Sequence, residues 1–312
     1  MNLGISTHYT ILPEVARALR MEMPIVALES AVVTHGLPYP QNLHLAQDME
    51  TEIRTLNAVP ATIGVLDGLV QIGLTAEQLQ RLASEKNLLK VSRRDYAIAV
   101  AQKKSGGTTV AGTLIAAHAA GILVFATGGI GGVHRQAPFD ISPDLPELSR
   151  TPVVVVCAGA KSILDLPATL EYLETMSVPV IGYQTNDFPA FYAVKSGLKT
   201  QGRAESPEEI AAIARAHWML GLHSAILVVQ PPPAESALTE EAMEIAITLA
   251  LKEAQNQQIT GQAVTPFLLS RMSQLTGGAS MTANLALLRN NARLAASIAI
   301  ALRPPSSKMG YV

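Results

Sequence analysis

The sequence predicts an α/β chain, three-layered α/β/α around a mostly parallel central sheet, with a helical C-terminal part. Three observations carry that expectation. Short apolar runs alternate with longer amphipathic stretches, which implies parallel strands joined by helices that cover both faces of a sheet. One run, VVVVCAG at 153–159, is apolar without interruption, as a strand buried on both faces should be. After Gln230 the strand candidates stop and only helical patterns follow.

Taken in order, the strand candidates are PIVALES (24–30), ATIGVLDG (61–68), LLKVS (88–92), ILVFATG (122–128), VVVVCAG, VPVIGYQT (178–185) and SAILVVQ (224–230). Between them PQNLHLAQDMETEIRTLN, TAEQLQRLASEK and SPEEIAAIARAHWMLG carry helical spacing and begin at good capping residues. Three further helices are expected from LTEEAMEIAITLALKEAQNQQ, TPFLLSRMSQL and SMTANLALLRNNARLAASIAIALR. The stretch joining these to the sheet is the stiff PPP of 231–233, with no flexible linker. Residues 1–303 are therefore read as a single catalytic domain, and 304–312 as a loose tail.

Composition narrows the function classes. Of 312 residues, 48% are hydrophobic and 15% charged, against about 25% charged in typical soluble chains. So little charge cannot coat a monomer, and the chain is expected to be an oligomer. A net charge of −2 offers no basic field for nucleic acid or for a polybasic membrane contact. Cys157 is the single cysteine, which excludes a disulfide framework or a cysteine-rich metal site within the chain. With no secretory pattern at the N-terminus, a cytoplasmic setting is expected. Residues 105–133 contain no Asp, Glu, Lys or Arg, but His118 and Gly121 interrupt them. They read as helix, glycine cap, short strand and glycine-rich loop, and not as a membrane span.

In open parallel sheets ligands bind beyond the carboxyl ends of the strands. Four strand ends here carry groups capable of chemistry: Glu29 after PIVAL, Lys90 and Ser92 in LLKVS, TGGIGGVHR after ILVFA, and Lys161 after VVVVCAGA. A strand-end lysine can reach solvent or satisfy a helix end. It can also act as a Schiff-base nucleophile, and the small residues of CAGA make an apolar surrounding that favours the neutral amine. Glu29 is read either as a cap or ion-pair partner or as an acid–base group. The loop 126–135 can turn backbone N–H groups toward an anion with Arg135 beside them, or can simply be a tight turn. Asp140 and Asp144 can hold a divalent cation through oxygen ligands and water, or cap the helix that follows.

Together ALESAVVTHGLPYPQN, GVLDG, KVSRRD, GTTVAGT, TGGIGGVHR, FDIS, VVCAGAKSILD, GYQT, FPAFY, TPFLL and LTGGASMTANLALLRNNA resemble, in this order, the pseudouridine-5′-phosphate glycosidases, or indigoidine synthase A family. The resemblance implies cleavage of the C–C glycosidic bond of pseudouridine 5′-phosphate to uracil and ribose 5-phosphate, with a divalent metal such as Mn2+, in a homotrimer of α/β/α subunits. It implies Glu29 as proton donor and Lys161 as covalent nucleophile. Lys90, Val110, Ser142, Pro143, Asp144 and Asn284 fall on substrate-contacting positions, and Asp140 on the metal ligand. Gly129, Gly131 and Arg135, with Lys90, are our own candidates for holding the 5′-phosphate. Three departures stand out. HRQAPFDIS is shorter than the family pattern, Asn186 of GYQTND stands where aspartate is expected, and VVQPPPAESAL replaces a stretch that reads closer to NPIPEE in the family.

The chemistry accounts for these residue types. Ordinary glycosidases protonate an oxygen or nitrogen leaving group between two carboxylates, but carbon is a poorer leaving atom. An iminium between Lys161 and ribose C1 supplies an electron sink as Glu29 shuttles the proton. Two alternatives are a Schiff-base aldolase on another phosphosugar and a non-catalytic phosphosugar-binding protein; uracil release distinguishes both from the glycosidase. An accessory role in pigment synthesis, suggested by the family's other name, has no residue behind it.

Overall fold

The computed structural model describes residues 7–135, 137–259 and 264–303. Its strands are β1 (Tyr9–Ile11), β2 (Ile25–Leu28), β3 (Val59–Leu66), β4 (Leu69–Ile72), β5 (Leu89–Val91), β6 (Gly106–Thr108), β7 (Val124–Ala126), β8 (Val133–His134), β9 (Ala137–Ile141), β10 (Val154–Cys157), β11 (Leu164–Asp165), β12 (Val180–Tyr183), β13 (Gly202–Ala204) and β14 (Ile226–Val229). The helices that matter below are α1 (Pro13–Arg20), α2 (Ala31–His35), α3 (Gln41–Thr55), α4 (Ala76–Ser84), α5 (Tyr96–Ala101), α6 (Val110–Ala119), α7 (Asp144–Leu148), α8 (Leu166–Thr175), α9 (Pro207–Met219), α10 (Glu240–Asn256), α11 (Val264–Leu275) and α12 (Ala279–Ala301).

Each of the seven apolar runs forms a strand. The main sheet has the order β1-β4-β3-β2-β7-β10-β14-β12-β13, with β6 branching from β3 and β5 pairing β6. Its centre, β3-β2-β7-β10-β14-β12, is parallel throughout. β2, β7, β10 and β14 are buried along their whole length, because helices cover both faces and no position is left to alternate with solvent. The fold is the expected three-layer α/β/α arrangement.

The strands that sequence patterning did not anticipate are short, edge or antiparallel ones. β3 meets β4 and β6 antiparallel, and β8, β9 and β11 make a separate three-stranded sheet. β6, β8, β9 and β11 hold two to five residues with glycine, histidine or a charge among them, so no apolar run announces them. The apolar core runs from Val15 in α1 to Ala299 in α12. α12 lies across β2, β7 and β10 and packs on α3 and α9, so the last helix covers that part of the sheet.

Residues 105–133 become β6, α6 and β7, and Gly121 ends α6 at φ +79° as a glycine cap. Among the described residues no helix is long and apolar enough to cross a membrane. The tail expected at 304–312 lies outside the described residues.

Candidate active site

Strand register brings the two principal candidates together. β2 and β7 pair so that Leu28 lies opposite Ala126. The next residue of each strand, Glu29 and Thr127, therefore emerges side by side, and the Thr127 hydroxyl donates to the Glu29 carboxylate. β10 pairs with the other edge of β7, with Val156 opposite Ala126. Beyond these strand ends the two loops continue to pair: Ala158 N–H donates to Gly128 C=O (2.9 Å), Ile130 N–H to Gly159 C=O (3.0 Å) and Lys161 N–H to Ile130 C=O (3.1 Å). That ladder carries Lys161 out over the same cavity as Glu29. Gly159 is required in it, because its φ is +87° and a Cβ would lie 2.5 Å from Pro189 C=O.

The cavity holds about 600 Å3 and is lined by Glu29, Lys90, Val110, Ser142, Pro143, Asp144, Lys161 and Asp140, together with Gly131, Arg93, Arg94, Thr109 and His134. A side chamber of about 60 Å3 shares Glu29, Lys90 and Lys161 with it and adds Asn284, Gly128, Gly129, His35 and Phe191. Asn284 reaches the chamber from α12 and is buried. The pair Glu29–Lys161 thus stands where the two spaces meet.

Electrostatics differ across the site. Burial pushes the Glu29 carboxyl above its ordinary range, and the opposing pulls of the Lys161 charge and the Thr127 hydrogen bond do not cancel it. Lys90 is pushed down, first by burial and then by the charge of Lys161. His35 is lowered by burial and by Lys90. Cys157, in the strand leading to Lys161, is pushed up to about 12 by burial, which makes it a poor nucleophile. Lys161 itself is half-buried and faces this charge-lined cavity. The surrounding expected from CAGA alone is therefore corrected: the small residues support the turn, and Lys161 faces a cavity lined by charged as well as apolar residues.

Two other expectations change. The glycine loop is a close-packed crossing and not an open nest of N–H groups. The Gly131 N–H already donates to Asp144 Oδ2 (2.9 Å), and a Cβ there would lie 2.1 Å from Ser142 Oγ. At Gly129 a Cβ would lie 2.6 Å from the Phe191 ring. Arg135, expected beside the phosphate, points elsewhere: it pairs with Glu244 (2.6 Å) and lines a neighbouring cavity of about 460 Å3. Asn186 is exposed and lines neither chamber.

Asp144 is a structural hub. It is buried, and its Oδ1 accepts from Ala111 N–H (2.9 Å) at the start of α6 while Oδ2 takes Gly131. Asp140 is exposed at the cavity wall. Among the described residues no three His, Cys, Asp or Glu side chains cluster to hold a metal. One available carboxylate fits a hard cation completed by water and substrate phosphate, and does not fit an all-protein cage.

Thr127, Thr109, Arg93 and Arg94 were not singled out from the sequence, and His134 reads there as a lone histidine without ligand spacing. The signal was present, since Thr127 opens TGGIGG and the arginines lie in KVSRRD, each just past a strand. Arg93 is engaged by Glu147 (2.5 Å), whereas Arg94 makes only a loose pair with Asp95 at 3.7 Å and is 77% exposed.

Fold and site together define an α/β enzyme in which a lysine and a carboxyl group raised by burial face one charge-lined cavity. The chain belongs to the family of indigoidine synthase A like proteins, whose model matches residues 14–301. It is 53% identical over 298 residues to a pseudouridine-5′-phosphate glycosidase of Solibacter usitatus, covering 95% of this chain and 100% of the relative. It is 55% identical over 288 residues to the glycosidase of the same name from Geobacillus kaustophilus, covering 92% and 96%. Among solved structures, the prealnumycin C-glycosynthase AlnA in complex with ribulose 5-phosphate superposes with a TM-score of 0.88 at 39% identity, covering 96% and 98% of the chains. An indigoidine synthase A-like protein of Thermotoga maritima gives 0.87 at 34% identity, with the same coverage.

Proposed function

We propose that this chain is a pseudouridine-5′-phosphate glycosidase that reversibly cleaves the C–C bond between uracil and ribose 5-phosphate. The observation that carries the reading is the convergence of Glu29 and Lys161 on one cavity, with the Glu29 carboxyl raised toward its protonated form. Relatives more than half identical over nearly the whole chain bear that activity in their names.

In this reading protonated Glu29 delivers its proton to the ribose ring oxygen as the C1–O bond opens, and the neutral amine of Lys161 bonds to C1. The nitrogen, positively charged once bonded to C1, gives a proton back to the Glu29 carboxylate, which passes it to the uracil carbon as the nitrogen lone pair breaks the C1–C bond, leaving uracil and an iminium between C1 and Lys161. Water adds to the iminium, ribose 5-phosphate leaves as its aldehyde, and the amine is restored. Both groups must be correctly protonated at once, which is why an acid with a raised pKa stands beside the amine. Lys90 and Arg94 are the cations at the wall suited to the 5′-phosphate. A divalent ion such as Mn2+ at Asp140 would neutralise phosphate charge when bound. We further place the protein in the cytoplasm, as a homotrimer.

The test is to incubate the protein with pseudouridine 5′-phosphate and Mn2+, add borohydride, and measure uracil and the mass of the peptide containing Lys161. Uracil release with a ribose-phosphate adduct on Lys161 is expected. A folded, metal-supplied protein that yields neither is not this glycosidase.

A further inference from the structure

We infer that Arg135 is a positioning residue that holds the turn bearing Lys161, and is not a phosphate ligand. The inference rests on the glycosidase reading for its kinetic consequence but on geometry for its substance. Arg135 lies at the end of β8, whose other pairing partner is β11, the two-residue strand that begins three residues after Lys161. Each of its three guanidinium nitrogens donates one hydrogen bond. Nε donates to Leu164 C=O (3.1 Å), Nη2 to Ser162 C=O (3.2 Å), and Nη1 to Glu244 of α10 (2.6 Å).

The two carbonyls belong to residues one and three positions beyond the lysine. That turn is closed from the other side by Leu164 N–H on Lys161 C=O (3.0 Å) and by Lys161 N–H on Ile130 C=O (3.1 Å). Arg135 therefore grips the chain from the side of the neighbouring cavity, adding side-chain bonds to the short β8–β11 ladder in which Leu164 pairs with His134. The planar fork of arginine suits two carbonyls and a carboxylate at once; a lysine ammonium has no fixed fork to span them. The arginine side chain is 25% exposed and its partner 55%. Glu244 thus orients the fork from the rim, and the carbonyl bonds do the holding. A lysine displaced by about 1 Å from its attack position is enough to cost on the order of 10²-fold in rate.

The experiment compares the full chain with Arg135→Met, Arg135→Lys and Glu244→Gln. Three quantities are read: kcat and KM for uracil release, the rate at which borohydride traps ribose 5-phosphate on Lys161, and hydrogen exchange at the Lys161 and Leu164 amides. Positioning predicts that Arg135→Met lowers kcat and trapping by roughly 10- to 100-fold with KM little changed, and speeds exchange at both amides. Arg135→Lys should recover only part of this, and Glu244→Gln should lower kcat slightly. If Arg135 binds phosphate instead, Arg135→Met raises KM, leaves exchange unchanged, and Glu244→Gln lowers KM by freeing the cation; that result overturns the inference. Should the wild-type protein release no uracil, the glycosidase reading fails on its own. Exchange and ribose 5-phosphate trapping then still decide whether Arg135 holds the lysine. If Arg135→Met does not fold, the same readouts on Arg135→Lys decide it.

Discussion

Glu29 and Thr127 make a pair whose behaviour with pH can be worked out in sign. The Thr127 hydroxyl donates to the carboxylate, so it favours the charged form and opposes the upward push of burial. A proton donor works while protonated, so cleavage should fade as pH rises through the raised Glu29 pKa. Thr127→Val removes the opposing hydrogen bond, and we expect the alkaline limb of kcat to move to higher pH, read from a pH–rate profile. An unmoved limb would mean that Glu29 does not set it. Glu29→Gln keeps the shape but not the proton, with an expected loss of about 10²–10⁴-fold in kcat. Lys161→Ala should abolish both turnover and the borohydride adduct. Asp140→Asn should raise the Mn2+ concentration needed for half-maximal activity, and excess chelator should lower wild-type activity, if the cation sits where proposed. Glu29 and Lys161 were legible because each follows an apolar run. Thr127 was passed over because a threonine next to glycines reads as a turn until the strand register is known.

The glycine loop after β7 and the long helix α12 form one construction. Asn291 of α12 is buried; it donates to Thr127 C=O (2.8 Å) and accepts from Gln230 Nε2 (2.9 Å) at the end of β14. The helix so fixes, from behind, the loop that carries the partner of Glu29. Asn291→Leu leaves Gln230 and the loop carbonyl without partners in the interior, at a cost of about 1–3 kcal/mol for each group stranded; urea denaturation measures it. Gly131→Ala would drive a methyl into Ser142 Oγ and crowd Asp144 Oδ2, 2.8 Å away. Its expected cost is roughly 1–3 kcal/mol, together with a loss of activity, because Asp144 ties that loop to α6. A stable, fully active Gly131→Ala protein would refute the close-packed crossing. In the sequence GGIGG looks equally like an anion nest or a tight turn. Only the chains lying against it show that it is neither.

For the molecule as a whole, the charge-poor composition is matched by exposed apolar side chains: Phe139 is 98% exposed, Met219 86% and Leu220 77%. A homotrimer would cover part of such a surface, and sedimentation equilibrium should return three times the 33.0 kDa chain mass; a monomer at micromolar concentration would refute the proposed assembly. α12 is also tied back to α3 by ion pairs, Arg289 to Asp48 and Arg293 to Glu52, between residues 241 positions apart in sequence. Arg293 is 57% exposed, so Arg293→Ala is expected to cost only about 0.2–1 kcal/mol. The packing of α12 over β2, β7 and β10 is what keeps the helix in place.

The sequence already specified the parallel sheet, the main helices and the strand-end positions of Glu29 and Lys161, whose roles the family resemblance implied. These follow from local pattern: an uninterrupted apolar run must be buried on both faces, and a charged residue just past it must emerge at the sheet's carboxyl edge. What local pattern does not encode is which strand ends become neighbours, and on that the details of the site depend. Pairing Leu28 with Ala126 sets Thr127 on Glu29, and pairing Ile130 with Ala160 sends Lys161 over the same cavity. Asp144 takes up the loop amide that an anion was expected to meet, and Glu244 with two backbone carbonyls takes up Arg135. Hydrogen-bonding capacity is spent on whichever group the fold brings within 3 Å or so, and that choice was made in three dimensions.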